Sequence, residues 1–166
     1  MRPQDIVILL KILCYGTTSW FSKDLARELN LSPSEISNAL NRNAEAGLID
    51  TEKKLVKKQA LLEFLVHGIQ YVFPVRPKEM VRGILTAHSH PFFKNKIVSE
   101  VQYVWPDAES DERGFSVQPL YLGAVVAAKK DDKLYLLLAL VDVIRLGKVR
   151  ERTIAIKELE SIIVNA

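Results

Sequence analysis

The chain has 166 residues, 48% hydrophobic and 26% charged, enough apolar material for one ordinary domain or two very small ones sharing a core. Disorder, collagen and a coiled-coil rod are excluded. The 23 Lys and Arg against 20 Asp and Glu leave a net +3, too little for a general nucleic-acid coat, so any nucleic-acid role has to come from where the charge sits. Residues 1–106 hold 14 basic and 10 acidic side chains, whereas 107–166 hold 9 and 10. A single cysteine, Cys14, makes neither an internal disulfide nor a thiolate zinc site, which points to a reducing, cytoplasmic setting.

Pro3 opens a helix over residues 4–14 with Ile6, Leu9, Leu10 and Leu13 at helical spacing. Its apolar run is cut by Lys11 and reads as a core helix, not a signal peptide. After a turn at 16–19, Ser22 is placed to cap a short helix carrying Leu25, Ala26 and Leu29, and Asn30 ends it. In Ser32-Pro33-Ser34-Glu35, Ser32 is a cap, Pro33 takes the first helical position and Glu35 completes a capping box. That helix turns Ile36, Ala39 and Leu40 inward and stops at Gly47.

Leu48-Ile49-Asp50 and Leu55-Val56, parted by Thr51-Glu52-Lys53-Lys54, read as a small hairpin, followed by a helix over about 59–68. A weak repeat follows: Tyr71-Val72-Phe73-Pro74 with Arg82-Gly83, then Tyr103-Val104-Trp105-Pro106 with Arg113-Gly114. It predicts a pair of related β-hairpins. A helix from Asp131 or Asp132 to about Leu146, ended by Gly147, and a last helix over about 149–164 close the chain. Leu134–Val141 meets Asp142 and Arg145 far short of the roughly 20 apolar residues a membrane crossing needs, so no membrane partner is expected.

Counting from Ser22, positions four, five, eight, ten, fifteen and eighteen are Leu25, Ala26, Leu29, Leu31, Ile36 and Ala39. Two helices crossing steeply need small or apolar residues there, as in a helix-turn-helix, and the basic hairpin that follows is the wing of a winged helix-turn-helix. Residues 1–68 resemble bacterial winged helix-turn-helix transcriptional regulators, particularly the multiple-antibiotic-resistance-regulator type. The resemblance lies in Asp24-Leu25-Ala26-Arg27-Glu28-Leu29-Asn30-Leu31-Ser32 through Ala46-Gly47-Leu48-Ile49. Residues 69–166 do not resemble that family's dimerisation helices. They are similar to a group of uncharacterised bacterial regulators in Pro119-Leu120-Tyr121 and in the leucine-rich C-terminus.

The expected fold is therefore α+β, with a winged helix-turn-helix DNA-binding domain at 1–68 and a region of β-hairpins and a C-terminal helical pair at 69–166 for dimerisation or partner binding. The second helix of the motif presents Ser34, Ser37, Asn38, Asn41 and Arg42, side chains suited to base edges in the major groove of double-stranded DNA. Lys53, Lys54, Lys57 and Lys58 stand at the wing for phosphate contacts.

A homodimer reading two half-sites is expected, with Leu134, Leu136, Leu137, Leu138, Leu140 and Val141 as the pairing surface. The function expected is a sequence-specific repressor. In an antitoxin-like form of it, residues 69–166 also bind a protein encoded by a neighbouring gene. The alternative is a protein-interaction adaptor that uses the winged-helix scaffold without DNA.

His88 and His90 offer two metal ligands with nothing nearby to complete a site, and Tyr71, Phe73, Tyr103 and Trp105 read as core more readily than as an effector pocket. No catalytic motif is present and no metal or cofactor is implied, so an enzyme is not expected.

Overall fold

A computed structural model describes all of residues 1–166. The chain is α+β, with helices packed on one another and a small three-stranded mixed sheet. Helix α1 (Pro3–Tyr15) begins on Pro3, and the Asp5 carboxylate accepts the Arg2 backbone N–H at 2.7 Å. Every residue from Asp5 to Leu13 is buried, since a helix that is apolar all round but for Asp5 and Lys11 has no face to give to water. It packs on α2 (Ser22–Leu29), α3 (Pro33–Glu45) and, far along the chain, α7 (Asp132–Leu146). Buried Lys11 is tolerated because its ammonium meets Glu28 and Asp131, each at 2.7 Å.

Asn30 stands in the left-handed region at φ 52, which lets the chain reverse within the three residues between α2 and α3. Two expected caps differ in detail. Ser22 is the first residue of α2 rather than its cap, a place taken by Phe21 with no side-chain bond. Ser32 does accept from the Glu35 N–H at 3.1 Å, but the Glu35 carboxylate turns to Arg42 and Gln4, leaving the capping box half made.

The hairpin at 48–57 is reduced to one antiparallel bridge, Ile49 with Val56, flanked by backbone bonds Asp50 N–H to Leu55 O and Lys57 N–H to Leu48 O. Next, α4 (Lys58–Glu63) continues through a π turn at Phe64–Gly68 into α5 (Ile69–Val72). Tyr71-Val72 therefore ends a helix instead of opening a strand, so the expected pair of related hairpins does not form. The domain boundary read at residue 68 also falls inside this helical run.

Strand β1 (Met80–Leu85) pairs antiparallel with both β2 (Tyr103–Pro106) and β3 (Arg113–Ser116), and β2 and β3 pair parallel, closing three strands on one another. A side chain at Gly83 would meet the Trp105 carbonyl oxygen at 2.0 Å, so that close approach admits only glycine.

Helix α6 (Leu122–Ala128), unmarked in the sequence, lies against α2 and α7, and α8 (Val149–Val164) closes over α7 and α4. Asp131 caps α7, accepting from Leu134 N–H at 3.0 Å. One apolar cluster runs from Ile6 to Ile163 through both halves of the chain. Leu134, Leu137, Leu138, Leu140 and Val141 are all buried within it, and Leu136 packs partly against it. The apolar circumference of α7 is thus satisfied by α1, α5, α6 and α8 of the same chain and is not a free dimerisation surface. No helix is long and apolar enough to cross a membrane.

Candidate functional site

Helix α3 presents two different faces. Ile36, Ala39, Leu40 and Asn43 face α1 and α2, and the Asn43 amide donates to the Asp5 carbonyl at 3.0 Å. On the other side Ser34, Ser37, Asn38 and Asn41 are exposed, and none of the four spends its side chain on another residue. This row follows from the helical period: the three apolar positions fix which way the remaining ones point.

Arg42 leaves that row. Its guanidinium forks onto buried Asp5, Nε to Oδ2 at 2.9 Å and Nη2 to Oδ1 at 2.6 Å, and also meets the Glu35 carboxylate at 2.6 Å. The Arg42 hydrogen bond, aided by Gln4, holds Glu35 below the usual carboxylate range. The expectation that Arg42 reads a base is corrected: the carboxylates of buried Asp5 and of Glu35 hold its guanidinium.

The four expected wing lysines separate as well. Lys53 sits at φ 59 at the tip of the turn and Lys57 is exposed, both without an ion partner. Lys54 lies with its ammonium 5.1 Å from the centre of the Trp20 ring. Lys58 departs, because α4 carries it away from the turn and its ammonium donates to the carbonyls of Val164 at 3.2 Å and Ala166 at 2.7 Å. Lys58 is a tie to the end of α8, which corrects its expected place among the phosphate-contacting lysines.

Several residues that shape this surface carry no sequence motif. Asp50 braces the 50–55 turn by accepting from Leu55 N–H at 2.9 Å and Lys54 N–H at 2.6 Å, and these bonds depress its pKa. An aspartate opening a four-residue polar turn is the available signal. Trp20, beneath Lys54, had none, and Tyr121, whose hydroxyl donates to the Asn30 carbonyl at 2.9 Å, stood in the Pro119-Leu120-Tyr121 resemblance without a role. Between the end of α1, the α1–α2 loop and the wing lies an open groove of about 600 Å³ floored by Ile12, Leu13 and Val56.

The other candidates scatter. His88 Nε2 bonds the Val101 carbonyl at 2.8 Å, whereas His90 is buried against the Tyr135 ring, its Nδ1 accepting from Phe92 N–H and its Nε2 unpartnered. No group of three or more His, Cys, Asp or Glu comes together. Tyr71 is 76% exposed while Trp105 is buried with its N–H on Asp142, so the four aromatics do not form one pocket. Cys14 is a largely buried thiol pushed up to about 12 by burial.

Chemically, the structure offers neutral hydrogen-bonding side chains along one helix and, at the 50–55 turn, ammonium groups without an ion partner. Compared with protein-family models, curated proteins and solved structures, the chain matches none.

Proposed function

We propose that the chain is a sequence-specific DNA-binding transcriptional regulator, a winged helix-turn-helix repressor acting as a homodimer, with α3 as its recognition helix. The observation that carries this reading is the row of exposed, uncommitted Ser34, Ser37, Asn38 and Asn41 on α3. Asparagine can bond an adenine edge with two hydrogen bonds, and serine can serve base or phosphate. With Arg42 held by Asp5, the row has no guanidinium for guanine, so the preferred half-site is rich in A·T pairs. Lys53, Lys54 and Lys57 supply the phosphate contacts that set register and most of the affinity. Binding of residues 69–166 to a protein encoded by a neighbouring gene, as in antitoxin-like repressors, belongs to the same proposal.

The test is selection of bound duplexes from random DNA, followed by titration at two salt concentrations. The expected result is an enriched A·T-rich motif. Asn38→Ala with Asn41→Ala should flatten the sequence preference and leave the salt slope unchanged. Reversing Lys53, Lys54 and Lys57 to Glu should weaken all sequences alike and lower the slope by about 3, near one per phosphate contact. No enrichment would overturn the reading.

A second reading, a protein-interaction adaptor, is favoured by one observation. Phe21 and Leu55, 58% and 71% exposed, stand at the rim of the groove beside the wing. An adaptor would enrich no DNA sequence.

A further inference from the structure

Arg82 and Arg113 stand opposite one another where β1 and β3 run antiparallel. Gly83 N–H donates to the Glu112 carbonyl at 3.0 Å, so the next pair along, Arg82 with Arg113, is a non-hydrogen-bonded one, the kind that holds its side chains closest. Like charges placed in this way destabilise a strand pair. Both arginines are exposed, and neither makes an ion pair or a side-chain hydrogen bond.

The inside of the three-stranded closure fixes which way they point. Gly83 and Gly114 are buried, and a side chain on either would meet Val104, at 2.8 Å and 3.1 Å. Val104 therefore fills the interior, and strand alternation turns Met80, Arg82, Arg113 and Phe115 outward. Glu112, the chain neighbour of Arg113, takes the opposite side for the same reason. Met80 pairs with Phe115 immediately beside the arginines. Met80 is 54% exposed, and Phe115 is half-buried without packing on the apolar cluster that fills the rest of the chain. One outer face thus carries two uncommitted guanidiniums beside an aromatic ring that serves no core.

We propose that this face binds single-stranded nucleic acid, with Arg82 and Arg113 clamping a phosphate and the Phe115 ring stacking on the adjoining base. Guanidinium forks match phosphate oxygens, and a bound phosphodiester relieves the like-charge pairing that the fold leaves standing. A ring stacks only on a base freed from its own pairing and stacking, which favours a single strand over a duplex. Every strand of the module already pairs with the other two, so side chains and not an added strand make the contact. An acidic peptide would match the arginines but would leave Phe115 without a planar partner.

The site stands apart from α3. Trp105 ties the module to Asp142 of α7, whereas α3 packs on α1 and α2. Single-strand binding goes beyond the duplex reading and does not rest on it. Selection from random duplexes with the Arg82→Gln, Arg113→Gln chain reads α3 alone, so failure of either is seen separately.

The test is fluorescence anisotropy of the full chain with a labelled oligothymidylate about twelve nucleotides long, titrated at low and high salt beside poly-glutamate. The oligothymidylate should bind more tightly than poly-glutamate and weaken with salt. Arg82→Gln with Arg113→Gln should weaken it at least about tenfold and flatten the salt dependence, as loss of charge-assisted bonds to phosphate does. Phe115→Leu should weaken it about fivefold or more and leave the salt dependence unchanged, as loss of one stacked base does. Absence of oligothymidylate binding, poly-glutamate bound as tightly, or affinity indifferent to the arginine or the phenylalanine change would overturn the proposal. If circular dichroism shows Phe115→Leu unfolded, ultraviolet crosslinking of the wild type to the oligothymidylate is read instead: attachment at Phe115 supports the site, and attachment confined to residues outside the β module overturns it.

Discussion

The Tyr121 hydroxyl donates to the Asn30 carbonyl at 2.9 Å, joining residues 91 positions apart at the left-handed turn between α2 and α3. Beside it α6 comes so close that a side chain on Gly123 would lie 2.7 Å from the Leu29 carbonyl oxygen. The turn that sets the angle of α3 is thus braced by the second half of the chain. Tyr121→Phe should cost about 1 kcal/mol, the net worth of one such bond, and Gly123→Ala about 1–3 kcal/mol through forced displacement. Urea unfolding measures both, and unchanged midpoints would contradict the bracing.

Arg42 makes the clearest prediction on α3. Its removal leaves Asp5 buried without its counter-charge, so Arg42→Ala should lose about 3 kcal/mol or more. Arg42→Lys should recover little, since an ammonium cannot reproduce the two-pronged contact. Thermal unfolding without DNA checks this; a variant as stable as the wild type would return Arg42 to the exposed row of α3.

Asp142 holds the middle of the chain to α7. Its carboxylate accepts from Thr86 Oγ1 at 2.9 Å, Trp105 Nε1 at 2.7 Å and Arg145 Nη1 at 2.7 Å, and Arg145 also donates to the Phe73 carbonyl at 2.9 Å. Asp142→Asn keeps the shape but leaves the buried Arg145 cation unpaired, at a cost of about 3–5 kcal/mol. Near-ultraviolet circular dichroism should lose the Trp105 signal at lower urea than in the wild type.

His90 gives a pH dependence. Burial lowers its pKa from 6.5 to about 4, against a small opposing pull from Asp132. The unfolded chain then takes the proton first, so this contribution to stability is complete above about pH 6.5 and is lost as pH falls toward about 4. His90→Asn retains an acceptor for Phe92 N–H without titrating. The variant's melting temperature should change less between pH 7 and pH 5 than the wild type's, and equal changes would refute the assignment.

The elements legible in the sequence are those with local signals. Pro3, Asn30, Ser32-Pro33 and Asp131 announce helix ends through backbone geometry or a single side-chain bond, and α1, α2, α3 and α7 fall where those residues put them. The middle was not legible, because Tyr71-Val72-Phe73 has strand composition but continues a helix begun at Lys58 and packed on α7. Tertiary burial overrode propensity there. For the same reason the period of α3 revealed its exposed serines and asparagines, whereas the fate of Arg42 depended on Asp5, 37 residues away.

The ion pair from Lys11 to Asp131 links residues 120 apart, and α1 is enclosed only when α7 arrives. During synthesis the first helices therefore leave the ribosome with apolar faces uncovered, and they remain so until most of the polypeptide has followed. Contacts this distant in sequence slow folding and hold the nascent chain in an aggregation-prone state. Chaperone demand at expression should consequently fall mainly on the N-terminal third, even though it is a helix near the other end of the chain that relieves it.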